Sequence, residues 1–389
     1  MNRVKAIGIF MAVLLLTTTV LAGCKKATTT TPPQTTTKTA ATTTTAATTS
    51  AAVTTKPATT AVPTSVAPIV LRFGTATTER GGFGQTLVWW MNEVEKRTNG
   101  RVKFERYWSS TLAPATALLG SLTSGVADVT VLQAGNEPAS MPLAYFGYLP
   151  NMYVDPWPAA KAAADLYKQV PELNAELTKA KARFMFGFAA SIQGVMTTKV
   201  PIKTLNDMKG LKIRTIGEAA KLVTALGGTA VNITTAEVFT ALERGTVDGT
   251  VAGPSAALTG GYDGIIKYYY PLPLLGTVLV GAIGESAWNR LPADIQQIIE
   301  QVNADYPEAN HRIYQVETDV PQLTKMTAAG MQVFNPTAAE IAQSQQVSRE
   351  KVWVEWVTTT AAKGLPAQKV LDTYLELVKK YEPLSPFKK

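Results

Sequence analysis

The sequence predicts an α/β fold built as two lobes, and three observations predict it. From Ile69 onward short apolar runs alternate with amphipathic helical stretches, the pattern of strands joined by helices. That part of the chain runs to about 320 residues, more than a single core usually serves. No apolar segment in it is long enough to span a bilayer.

Taken in order, a strand at 69–73 leads to a helix at 85–97, which Asn99 and Gly100 close. A strand at 102–108, a helix at 114–124 stopped by Gly125 and a strand at 129–132 follow. The series continues with a helix at 156–170, strands at 184–188 and 212–215, a helix at 218–226, a strand at 229–232, a helix at 235–244 and a strand at 248–251. Gly227, Gly228 and Gly245 stand where helix C-caps belong. Ile295, Ile298, Ile299 and Val302 recur at helical spacing, so 292–327 reads as one long helix, with a kink or break expected near Tyr306 because Pro307 lacks an N–H. A strand at 331–334 and helices at 338–362 and 366–381 close the chain.

The region before Ile69 has a different logic. Arg3 and Lys5 precede the apolar run 6–16 and then small residues, the order of a secretory signal peptide over 1–23. The run is about a dozen residues, too short for a membrane span. It ends in Leu21, Ala22, Gly23 and Cys24, which resembles a bacterial lipobox, so Cys24 is expected to be acylated, for instance with palmitate, and to begin the mature chain. Residues 25–68 are almost all Thr, Ala, Pro and Ser, without an acid or an aromatic, and are expected to stay disordered as a tether. A glycosylated Thr-rich stalk is the other reading of the same composition.

Composition excludes several functions. Removing 1–23 takes away two basic residues and no acid, lowering the formal charge from +8 to +6. The remaining Lys and Arg are dispersed among acids, which argues against a nucleic-acid partner. Cys24 is the only Cys and His311 the only His, so disulfides and thiolate metal sites are out and zinc or Ser-His-Asp chemistry is nearly so. A non-enzymatic role without cofactor or metal is expected; a hydrolase using Asp128 or Asp248 is the weaker alternative.

The most informative stretch is Leu205-Asn206-Asp207-Met208-Lys209-Gly210-Leu211-Lys212-Ile213-Arg214, followed by Leu226-Gly227-Gly228 and then Glu237-Val238-Phe239-Thr240-Ala241-Leu242-Glu243-Arg244-Gly245-Thr246-Val247-Asp248-Gly249. In order and spacing these residues resemble the extracytoplasmic solute receptors of tripartite ATP-independent periplasmic (TRAP) transporters, the DctP-like family. Arg97-Thr98-Asn99-Gly100-Arg101-Val102, Gly125-Val126-Ala127-Asp128-Val129 and Trp288-Asn289-Arg290-Leu291-Pro292 extend the resemblance over essentially all of 69–389. It implies a two-lobe periplasmic-binding-protein-like fold with a hinge, a long helix bracing both lobes, and a ligand enclosed between them. Lobe I is then 69–191 with 280–319, and lobe II 192–279 with 320–389.

The resemblance also implies that Arg214 grips a ligand carboxylate. A guanidinium suits the task, since its two parallel N–H groups match a carboxylate and its charge is permanent. Gly217 and Glu218 open a helix whose free N–H groups are candidates to share the anion. On residue chemistry alone, Arg214 paired with Asp207 or Glu237 is the competing arrangement. Gln193, 21 residues before Arg214, together with Tyr268-Tyr269-Tyr270, resembles the branch that binds 2-oxo acids and related monocarboxylates.

The departures from that branch are informative. Thr250 and Val251 stand where it carries a Glu-Trp pair that helps hold a cation, so a metal-assisted site is not expected. Ala189 replaces an Asn, and the pocket reads as more apolar, suited to a carboxylate with a hydrophobic tail. Phe83, Trp89, Trp108 and Phe188 are candidate walls, with core packing as their alternative role. Gly81-Gly82-Phe83-Gly84 lacks a phosphate-loop signature and reads as a flexible rim. The expected function is capture of a small organic acid and its delivery to integral membrane TRAP subunits by a lipid-anchored extracytoplasmic protein; a sensory domain presenting the acid to a signalling partner is the alternative.

Overall fold

The computed structural model describes residues 67–387; the expected leader, Cys24 and all but the end of the tether lie outside them. Eleven strands are present among the described residues: β1 (Ile69–Gly74), β2 (Val102–Tyr107), β3 (Val129–Leu132), β4 (Ala182–Ala189), β5 (Gln193–Thr197), β6 (Lys212–Arg214), β7 (Thr229–Val231), β8 (Gly249–Ala252), β9 (Tyr268–Leu275), β10 (Val278–Gly284) and β11 (Gln332–Val333). They form one sheet of order β2-β1-β3-β10-β4 and a second of order β11-β9-β5-β8-β6-β7. With helices packed around each sheet, this is the two-lobe α/β architecture.

Strand direction decides where a ligand belongs. β1 runs parallel to β3, and β10 is antiparallel to β3 and β4, so β1, β3 and β4 end at one edge of the first sheet. In the second sheet β6 and β8 are parallel while β5 is antiparallel to β8 and β9, so Arg214, Ala252 and Leu275 end, and Gln193 begins, at one edge. The chain leaves β4 and enters β5 within 190–192, and leaves β9 and enters β10 within 276–277. These two crossovers lie side by side, Ala190 N–H donating to Thr277 O at 2.9 Å, and the Tyr153 hydroxyl donates to Ala190 O at 2.8 Å. The carboxyl-terminal strand edges of the two sheets therefore meet at a double-stranded hinge, where α/β sheets take their ligands.

Strands β5, β9 and β10 are absent from the sequence pattern, and for β9 the reason is visible here. Pro271 and Pro273 sit in β9 beyond its short pairing with β11, on a free edge that needs no N–H.

The long helix is real but differs in detail. Ala293–His311 continues through wide i→i+5 turns at Arg312–Asp319 into Val320–Ala328. Pro307 causes no break: it is buried inside the first segment, and the widening falls five residues later. The first segment packs on the first sheet, Tyr306 lying against Phe186 (ring centroids 4.0 Å apart) and Trp90 donating to Asn303 Oδ1 at 2.8 Å.

A second continuous helix, Ala338–Val347 widening at Ser348–Trp353 into Val354–Ala361, also touches both lobes. Leu205 N–H bonds Glu340 at 2.7 Å and Trp353 donates to Pro150 O at 2.8 Å. The last helix, Ala367–Tyr381, packs on Pro156–Gln169 of the first lobe, with Tyr374 against Phe146 (4.8 Å), although sequence grouped it with the second.

Asp319 ties several of these elements together. Its Oδ1 accepts from Ser255 N–H at 2.9 Å, and Ser255 Oγ accepts from Gly82 N–H at 3.0 Å, joining the long helix, the helix Pro254–Gly260 and the helix Gly81–Arg97. Burial drives the Asp319 carboxyl up to about 6, against the Ser191 hydroxyl and Ser255 N–H, which favour the ion. An unfolded Asp titrates near 3.9. Between about pH 4 and pH 6 the folded chain thus holds a proton that the unfolded chain has lost, and stability falls as pH rises through that window. Asp319→Asn keeps an acceptor and removes the titration, so its unfolding free energy is expected to fall less than wild type's over that window, by about 2–3 kcal/mol. Urea titrations at several pH values check this; identical pH slopes contradict it.

Candidate binding site

Arg214 ends β6 at the edge facing the first sheet, and only 7 % of it is exposed. Its Nε donates to Ile233 O at 3.1 Å and one Nη approaches Thr235 Oγ1 at 3.4 Å. Among the described residues no carboxylate lies within ion-pair distance of its guanidinium. Burial pulls its pKa down, and the nearby Tyr262 hydroxyl opposes that.

The two competing partners are engaged elsewhere. Asp207 closes a capping box with Thr204 (Oδ2 to Thr204 N–H, 2.8 Å), and Glu237 does the same with Thr234 (3.0 Å). Both boxes were written in the sequence as Thr-x-x-acid.

A buried cation with neutral neighbours alone is an expensive feature, because desolvating a charge costs several kcal/mol unless an opposite charge repays it. One carbonyl and one hydroxyl contact aim the guanidinium, and neither carries a charge that would offset its own.

The other candidates are distributed around it. Gln193 begins β5, half-buried, two strands from β6 at the same sheet edge. Gly217 is the N-cap of the helix Glu218–Ala225 with φ 59°, a conformation that favours glycine. Phe188 is buried at the end of β4 and stacks on half-buried Phe83, ring centroids 4.2 Å apart. Trp108, half-buried just past β2, meets Phe73 edge-on at 5.7 Å, and Trp89 lies near Tyr306. Val251 is placed among core side chains with Val195, its register partner across β5 and β8. The structure brings Phe83 and Phe188 together; it shows no hydrogen bond between Arg214 and Gln193.

Two readings change. The glycine segment Gly81 to Gly84 is the first turn of the helix Gly81–Arg97 rather than a loose rim. Its glycines permit close approach, since a Cβ on Gly82 would meet the Tyr314 ring at 2.1 Å. The start of the helix Glu218–Ala225 is occupied by its own carboxylate, Glu218 being buried at the first position with Lys221 at 3.1 Å. Tyr145, Tyr262, Ser255 and Asp319 went unnoticed in the sequence, where no spacing connects them.

Residues 73–357 match the model of the bacterial extracellular solute-binding proteins, family 7, named DctP. The chain belongs to that family. A monocarboxylate 2-oxoacid-binding periplasmic protein of Nostoc sp. is 26 % identical over 287 residues, covering 69 % of this chain and 74 % of its own. Among solved structures, a TRAP periplasmic solute-binding protein from Desulfovibrio salexigens, an open complex, superposes with a TM-score of 0.74 at 24 % identity, covering 82 % of this chain and 99 % of that one. A TRAP solute-binding protein of Rhodoferax ferrireducens holding copurified benzoate gives 0.71 at 21 % identity, with 81 % and 99 % covered. Family 7 members are the solute-binding components of TRAP transport, and the two lobes seen here are theirs.

In a family 7 receptor without ligand, the Arg214 charge is uncompensated and a flexible apolar side chain of similar length is expected to suit the site better. Arg214→Met should raise the unfolding free energy of the ligand-free protein by about 1 kcal/mol, the usual trade of stability for function. Chemical denaturation measures it, and a variant less stable than wild type contradicts it.

Proposed function

We propose that this chain captures a small organic monocarboxylate with an apolar body between its lobes and hands it to the integral membrane subunits of a TRAP transporter. The observation that carries the reading is the buried Arg214 guanidinium with no carboxylate beside it among the described residues. One strong cation suits one carboxylate, and half-buried Phe83, backed by the buried Phe188 ring, offers apolar surface on the other lobe. The Nostoc relative named for 2-oxoacids and the similar folds holding benzoate or 3-hydroxybenzoate are consistent with such ligands. Gln193, Gly217, Trp108 and Val251 we assign to the surroundings of the same cleft, Gln193 as a polar contact. We take lobe I as 69–191 with 280–319 plus the final helix, and lobe II as 192–279 with 320 to the preceding helix.

Closure about the hinge would enclose the acid, its charge meeting Arg214 and its body leaving water. The order of Arg3, Lys5, the apolar run and Cys24 supports export and acylation, with 25–68 as the leash to the membrane.

Isothermal calorimetry of wild type with pyruvate, 2-oxobutyrate, benzoate and mandelate is expected to show saturable binding of at least one acid. Arg214→Lys should weaken it at least tenfold and Arg214→Ala more, about 2 kcal/mol or above, because a point charge cannot replace a bidentate donor. The matching amide should not bind measurably. Undiminished affinity in Arg214→Ala removes the residue from the mechanism. Metabolic labelling with radioactive palmitate should mark wild type but not Cys24→Ser; an unlabelled wild-type chain refutes the anchor.

A further inference from the structure

A hydrogen bond joins the two lobes immediately beside the Arg214 loop. The Tyr145 hydroxyl donates to Glu218 Oε1 at 3.1 Å. Glu218 lies four residues after Arg214, at the end of the turn formed by Thr215, Ile216 and Gly217. Tyr145 belongs to the other side: its segment Ala144–Tyr148 packs on β10, and Glu176 pins it to the first lobe by accepting Leu143 N–H at 2.6 Å and Ala144 N–H at 3.0 Å.

Both ends of the contact are held in place. Tyr145 stacks on Tyr148 with ring centroids 5.6 Å apart. Burial, and then the Glu218 charge, push the Tyr145 hydroxyl well above its ordinary value, so it remains a donor. The Glu218 carboxylate is 7 % exposed, and its other oxygen meets Lys221, which also pairs with Glu355 at 2.7 Å on the helix that touches both lobes.

We propose that Tyr145 and Glu218 form a latch that holds the Arg214 loop against the first lobe when the cleft is closed and so sets how long a ligand stays. This rests on the capture of an acid by Arg214 argued above. Opening the cleft must separate the first lobe from the loop after β6, and that breaks a hydrogen bond to an ion, which is stronger than one between neutral groups. A contact that has to break before the lobes separate lowers the rate of opening and leaves the encounter of ligand with the open state alone. Tyr145 is thus a positioning residue, acting through the loop and touching no ligand.

The experiment uses benzoate and pyruvate as probes in stopped-flow binding to the full chain. Tyr145→Phe keeps the ring and its stacking and removes only the donor. Benzoate or pyruvate is expected to leave it roughly tenfold faster, with no loss of association rate. Glu218→Gln should have a similar effect, and the double variant should be no worse than the worse single one, as befits one shared contact. A wild-type dissociation rate in Tyr145→Phe, or additive effects in the double variant, overturns the latch. Should wild type bind neither probe, 2-oxobutyrate and mandelate replace them, and the capture reading fails on its own account if none of the four binds. Small-angle X-ray scattering then judges the latch: a larger radius of gyration for Tyr145→Phe supports it, and superimposable curves refute it.

Discussion

The constraint around which the rest of the second lobe is organised is a guanidinium withdrawn from water, with no carboxylate beside it among the described residues. Arg214 retains its charge because a guanidinium does not lose its proton in a protein. The sheet edge then has to satisfy it with dipoles: Ile233 O and Thr235 Oγ1, both delivered by the turn after β7. Those contacts orient the side chain without neutralising it. Nearby acids are kept away by local work of their own, Asp207 and Glu237 being committed to capping the turns that they begin.

Topology makes such a site available to both lobes. Because β5 and β10 run against their neighbours, the chain crosses between sheets at matching edges, and the crossovers lie together under the Tyr153 hydroxyl. The two long helices add further bridges, and each widens to i→i+5 spacing where it passes from one lobe to the other. Close packing at these junctions is what the glycines provide. Gly82 lets Tyr314 and Ser255 approach the first turn of its helix, and Gly276 leaves no room for a side chain beside Ile192 and Tyr153, either of which a Cβ would meet at 2.8 Å.

Much of this was legible from residue order. The parallel core of each sheet, β1 to β3 and β6 to β8, followed from apolar runs closed by Gly, and the long helix followed from Ile295, Ile299 and Val302. Arg214 was found through motif resemblance, and its lack of a carboxylate partner was decidable in principle from the two Thr-x-x-acid boxes. What stayed hidden was tertiary. Two prolines disguise β9, because whether proline is tolerated depends on which edge is free. Gly81 to Gly84 suggested looseness, since sequence does not distinguish a glycine that bends from one that makes room. Tyr145 and Glu218 stand 73 positions apart with nothing in their neighbourhoods to pair them.

The first strand and the final helix belong to the same lobe: β1 in the first sheet, and Ala367–Tyr381 seated on Pro156–Gln169. Mechanical load applied through chain attached beyond either element is therefore borne by that half of the molecule. The other half, carrying Arg214, is suspended from it by internal crossings only. Pulling, surface immobilisation or fusion to another protein leaves the swing of the Arg214-bearing half unburdened.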